Sequence, residues 1–116
     1  MAFPGELNIT YYKGDTYEFD ITPKKNDNTA FDLSGYSVKL FIGETRNTPS
    51  PIEGWSEIDT GNNNIKCAIT PGNGALMTAG ETYFYDVEIK KTSSPYNLVY
   101  TILTGTISVT DQVSTV

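Results

Sequence analysis

Thr82-Tyr83-Phe84-Tyr85-Asp86-Val87-Glu88-Ile89 alternates without a break. Tyr83, Tyr85, Val87 and Ile89 fall on one face of an extended chain, and Thr82, Phe84, Asp86 and Glu88 on the other. Successive side chains of a strand point to opposite faces, so this period of two describes a strand packed on a core on one side and wetted on the other. A helix would need its apolar residues three and four apart, and that period is almost nowhere in the chain.

The same pattern recurs on both sides of this segment. Upstream, Ile65, Cys67 and Ile69 point inward, as do Val38, Leu40 and Ile42, with Ser37 and Lys39 facing out. Earlier still, Tyr17, Phe19 and Ile21 alternate with Glu18 and Asp20, and Leu7, Ile9 and Tyr11 alternate with Asn8, Thr10 and Tyr12. Downstream, Leu98 to Thr110 forms a last long strand whose phase changes around Thr104-Gly105, where a bulge or bend is expected. Turn chemistry separates these runs at Lys13-Gly14-Asp15, Pro23 to Asn28, Ser34-Gly35, Asp59 to Asn64 and Ser93-Ser94-Pro95. Gly43 to Gly54 is the longest irregular stretch, and Pro49 and Pro51 exclude a central strand there. Trp55 to Ile58 reads as a short strand, and Thr70 to Gly80 as a loop with one helical turn. Seven or eight short strands at this spacing predict an all-β, antiparallel β-sandwich. It spans residues 1–116 as a single domain, with a short N-terminal arm at 1–6 and a loose C-terminal tail at 111–116.

Composition agrees. A chain of 116 residues can close one hydrophobic core, and 38% apolar with 19% charged residues is too apolar for disorder. Eight tyrosines and five phenylalanines favour a pleated surface. The formal charge of −6 argues against a nucleic-acid partner, because phosphate binding needs a basic stripe and only Lys24-Lys25 and Lys90-Lys91 cluster. No stretch approaches the roughly 20 apolar residues of a spanning helix, so no membrane partner is expected. Met1 leads into Ala2-Phe3-Pro4-Gly5-Glu6 without a basic start or an apolar run. With one cysteine and no internal disulfide, the expectation is a protein folded in a reducing cytoplasm.

Candidate chemistry is sparse. Histidine is absent, which removes the commonest general base and metal ligand. Cys67 has no histidine to activate it, and its phase places it in the core. Glu18 with Asp20, and Asp86 with Glu88, stand on outward faces and could cluster for glycosidase chemistry only if their strands were neighbours. Asp27, Asp32 and Asp59 with Asn62 to Asn64 lack the spacing of a calcium loop and read as turn residues. Gly72-Asn73-Gly74 is not a phosphate loop, since it lacks the Gly-Lys-Ser/Thr ending. The chain is therefore read as non-enzymatic, with no cofactor and no metal site.

What remains is contact chemistry. Trp55 follows the proline-containing loop and either caps its own core or anchors a partner. Phe3 and Pro4 lie in an apolar, unpatterned leader. Phe3, Pro4, Arg46, Pro49, Pro51 and Trp55 are the expected partner-binding residues, because they can bury surface on a neighbour without disturbing the core. In a carbohydrate-binding module, the alternative, Tyr12, Tyr36, Trp55 or Tyr96 would form an exposed flat platform.

Several segments carry a resemblance. Leu76, then Gly80, then Tyr83 at the head of a strand suggests the corner tyrosine of immunoglobulin-like sandwiches. Gly14-Asp15-Thr16-Tyr17-Glu18-Phe19 opens one strand, and Phe31-Asp32-Leu33-Ser34-Gly35-Tyr36-Ser37-Val38 leads into another. Ala79-Gly80 precedes Tyr83-Phe84-Tyr85-Asp86-Val87-Glu88, and Leu103-Thr104-Gly105-Thr106-Ile107 closes the set. In order and spacing, over roughly residues 7–110, the chain resembles the immunoglobulin-like N-terminal domain of phage baseplate upper proteins and related small virion proteins of tailed phages. The resemblance implies an immunoglobulin-like β-sandwich that docks onto a symmetric virion assembly and catalyses nothing. Baseplate upper proteins carry further receptor-binding domains after this module, and here the sequence stops at Val116. The expectation is therefore a capsid decoration or cement protein that binds and stabilises neighbouring subunits of the major capsid protein. A tail or baseplate adaptor involved in host attachment is the alternative. Either would be assembled into the virion in the host cytoplasm.

Overall fold

A computed structural model describes residues 4–49 and 51–111. The strands in chain order are β1 (Gly5–Glu6), β2 (Ile9–Tyr12), β3 (Tyr17–Ile21), β4 (Ser37–Gly43), β5 (Ile52–Glu53), β6 (Trp55–Asp59) and β7 (Asn64–Ile69). A single helical turn, α1 (Pro71–Ala75), precedes β8 (Thr82–Lys91) and β9 (Leu98–Thr110). Among the described residues they form two sheets. The larger runs β1-β9-β8-β4-β5, with β2 also on β9, and the smaller runs β3-β7-β6. This is an immunoglobulin-like β-sandwich. In the immunoglobulin constant arrangement strands C, F and G share one sheet and B, E and D the other, and here β4-β8-β9 and β3-β7-β6 fill those places.

The inward alternation holds. Tyr83, Tyr85, Val87 and Ile89 are at most 3% exposed, and Leu40, Ile42, Ile65, Cys67 and Ile69 at most 2%. The corner tyrosine is present, with the Tyr83 hydroxyl accepting the Thr78 backbone N–H at 2.7 Å. Where antibody domains link strands B and F by a disulfide, Phe19 on β3 meets Tyr85 on β8 edge to face, with ring centroids 6.1 Å apart.

Five expectations need correction. The sandwich is not wholly antiparallel, because β1 and β2 pair with β9 in parallel. Gly5–Glu6 therefore belongs to a sheet rather than to a free arm, while residues 1–3 and 112–116 lie outside the described residues. Leu7 does not join Ile9 and Tyr11 inside but is 37% exposed, since the chain breaks pairing between β1 and β2 and turns its carbonyl inward instead. The irregularity of β9 lies earlier than Thr104-Gly105. Val87 pairs with Leu103 and Glu88 with Thr101, so Ile102 is the extra residue. Part of the stretch 43–54 is ordered too, as β5 pairs with β4 at the edge of the larger sheet, directly after Pro51. An edge strand is where a neighbouring proline is tolerated.

Two crossings close the sandwich. After β5 the chain moves from one sheet to the other at Gly54, whose N–H reaches the Leu40 carbonyl at 2.9 Å. A Cβ at Gly54 would press on the Leu40 side chain, so the crossing requires glycine. At the far end Asn63, at φ +52°, accepts the Leu33 N–H at 3.0 Å and donates to the Phe31 carbonyl at 2.7 Å. One side-chain amide thus holds the connector between β3 and β4, with Leu33 fully buried beneath it.

Candidate interaction surface

Gly43 ends β4, and the next residues fold back on themselves. The Thr48 hydroxyl donates to the Thr45 carbonyl at 2.8 Å and accepts the Thr45 N–H at 3.1 Å. A Cβ at Gly43 would collide with that hydroxyl. This turn lays Arg46 across the outer face of the larger sheet. Its guanidinium sits 4.8 Å from the centre of the Phe84 ring, donates to Thr104 Oγ1 at 3.0 Å and lies 3.9 Å from Asp86. Exposed cation–π and ion-pair contacts are each worth at most about 1 kcal/mol, so their effect is orientation more than stability. Thr104 in turn donates to the Tyr85 carbonyl at 3.3 Å. Thr104 is also the register partner of Glu6. The N-terminal strand and the Arg46 loop therefore meet at Thr104, on one face, with Phe41 and Pro51 lining the hollow beside them.

Trp55 stands on the opposite outer face. Its register partner is Ala68, which pairs in turn with Glu18, and all three point away from the core. Ala68 is only 8% exposed, whereas Trp55 is 46% exposed. The backbone beneath Trp55 is held at Gly54 and by the Ser56 hydroxyl, which donates to the Val38 carbonyl at 3.3 Å. Trp55 is thus a rigidly based, exposed aromatic, and it does not cap the core. Glu18, Asp20 and Lys66 line the shallow hollow next to it.

The six expected contact residues do not make one surface. Arg46 and Pro51 border the hollow on the larger sheet, and Pro4, exposed, precedes β1 at the same sheet's edge. Pro49 borders a different hollow with Ile42, Ile52, Leu76 and Tyr83. Trp55 is on the other face, because the crossing at Gly54 separates it from its own loop. Phe3 lies outside the described residues. Phe84, Phe41 and Thr104 were missed. Phe84 had left a signal, as the one large apolar residue on the outward side of the octet that decided the fold.

The alternative constellations are dispersed. Glu18 and Asp20 belong to β3, and Asp86 and Glu88 to β8, on opposite outer faces, so the four carboxylates cannot cluster. Tyr36 packs against Phe31 and Tyr100, Tyr12 ends β2, and Tyr96 lies between β8 and β9. They share no flat platform with Trp55. Asp27, Asp32 and Asp59 each accept hydrogen bonds within their own turns. Those bonds hold all three carboxyls below the usual range, led for Asp27 by the Thr29 hydroxyl, for Asp32 by the Ser34 N–H and for Asp59 by the Asn62 side chain. Burial pushes the Cys67 thiol up to about 12, with Asp20 adding to the effect, which keeps it a protonated core residue.

No protein-family model matches the chain. No curated protein matches it either. Among solved structures it is similar to AggA, the major subunit of aggregative adherence fimbriae type I from Escherichia coli. The identity is 13%, over 90% of this chain and 89% of that one, with a TM-score of 0.37. The two facing sheets, β9-β8-β4 and β3-β7-β6, themselves make this chain an immunoglobulin-like sandwich.

Proposed function

We propose that this protein is a non-catalytic virion structural component, a capsid decoration or cement protein that bridges neighbouring shell subunits. The observation that carries this reading is the placement of two contact groups on opposite outer faces. Arg46 over Phe84 occupies one, and Trp55 the other. Arginine and aromatic side chains are the residues on which interface energy concentrates. The Arg46 guanidinium is already held over Phe84, and the backbone beside Trp55 is fixed at Gly54 and Ser56, which lowers the ordering cost of binding. A bridge needs two such surfaces facing apart, whereas a simple appendage needs one. The resemblance to phage virion modules supports the same reading. The tail or baseplate adaptor remains the second version of it, supported by that resemblance alone.

The test is to add the purified protein to undecorated shells of the phage that encodes it and to measure the temperature at which the shells open. Wild type should raise that temperature. Arg46→Ala and Trp55→Ala should each fold, as judged by an unchanged melting temperature of the free protein, yet give little or no protection. Shell protection by both variants equal to wild type would refute the two-faced bridge. A protein found only on tails would select the adaptor.

A further inference from the structure

We propose that the free edge of β3 accepts an added strand from a different protein chain, one that alternates basic and apolar residues. The inference does not depend on the virion reading, since it follows from the smaller sheet alone.

In immunoglobulin constant domains the sheet holding strands B, E and D also carries strand A, outside B. Here the N-terminal segment has gone entirely to the other sheet, where β1 and β2 pair with β9. Among the described residues β3 pairs only with β7, which leaves Tyr17–Ile21 as an edge. Natural edges are blunted by proline, bulges, brevity or charged side chains, lysine above all. The only charges on this edge are acidic, which repel a like strand and leave a basic one free to pair. This one is five residues long and in unbroken register, with no proline, glycine or lysine.

Its side chains report the same vacancy. Tyr17, Phe19 and Ile21 face inward but are only partly buried. Their register partners on β7 (Ile69, Cys67 and Ile65) are at most 2% exposed. Among the described residues, part of the apolar surface of these three side chains thus stays uncovered at the strand that ends the smaller sheet.

The outward residues define the partner. Glu18 and Asp20 are both exposed and both acidic. A second copy pairing antiparallel through this edge would set these carboxylates against each other, which disfavours the pair. The overall charge of −6 adds to that repulsion. A strand with lysine or arginine at alternate positions meets them favourably, and its intervening apolar residues cover Tyr17, Phe19 and Ile21. Main-chain bonds would then supply affinity and alternate side chains selectivity, as in strand addition generally.

The probe is a blocked heptapeptide of alternating lysine and valine, added to isotope-labelled protein. Binding should slow amide exchange within Tyr17–Ile21. It should be about tenfold tighter than for the matching glutamate–valine peptide, in keeping with two cross-strand charge pairs. The double variant E18K/D20K, altered only at exposed positions, should reverse that preference. Methylating every backbone nitrogen of the peptide should abolish binding. Any of three results would overturn the proposal: no binding, binding without protection at residues 17–21, or equal binding of the methylated peptide.

Discussion

The Tyr85 hydroxyl donates to the Leu7 carbonyl at 2.6 Å, joining residues 78 apart in the chain. Leu7 lies where pairing breaks between β1 and β2, and its carbonyl turns in over Gly105. A Cβ at Gly105 would collide with that carbonyl carbon and oxygen. Tyr85 and Gly105 face each other across β8 and β9. One residue supplies the donor for the N-terminal strand, and the other leaves room for it.

Tyr85→Phe should therefore cost about 1–2 kcal/mol, because the Leu7 carbonyl loses its donor while the ring keeps its packing. Gly105→Ala should cost more and should release β1, since backbone cannot yield as a side-chain tip does. Chemical denaturation measures the first, and amide exchange at Leu7, which bonds to the Thr104 carbonyl, reads the second.

The corner at Tyr83 predicts a graded series. Tyr83→Phe loses only the bond from the Thr78 N–H and should cost about 1 kcal/mol. Tyr83→Ala also removes a buried ring and should cost about 3–5 kcal/mol. Equal melting temperatures for the two variants would show that the hydroxyl, not the ring, carries the corner.

Val87 is fully buried at the centre of the larger sheet. Val87→Ala should cost about 1–3 kcal/mol through lost burial and the cavity left behind. Urea unfolding with an unchanged slope would confirm a native-state effect.

Cys67 should resist iodoacetamide in the folded protein and react on unfolding, since its thiol is buried and its pKa is pushed from 9.0 up to about 12. Burial raises the Tyr85 phenol as well. For both groups the folded pKa exceeds the unfolded one. The stability linked to their protonated forms is fully present below pH 9 and is lost as pH rises from about 9 toward the folded values. Melting temperature should fall across that alkaline range, and Cys67→Ala should flatten its first part.

Much of the fold was legible because the pleat has a period of two, and Tyr83 to Ile89 obey it without exception. The corner tyrosine was legible for a related reason: a strand head just after Gly80 leaves few places for a phenol to reach. The parallel pairing of β1 and β2 with β9 was not legible, because alternation reports which face a residue takes and says nothing of its neighbour's direction. The exposure of Leu7 was hidden likewise, as its apolar side chain fits the pattern that its carbonyl overrides. For the contact surface, sequence proximity misled. Arg46 and Trp55 are nine residues apart, yet the sheet crossing at Gly54, set by a close approach to Leu40, sends them to opposite faces.

Under the proposed virion role this protein bridges shell neighbours through those two faces, and cryo-electron microscopy of phage particles that carry it tests that proposal most directly. The account predicts density for this sandwich at the shell surface, with Arg46 and Phe84 against one capsid subunit and Trp55 against another. Particles that lack this density, or that hold the protein through one face only, would contradict it.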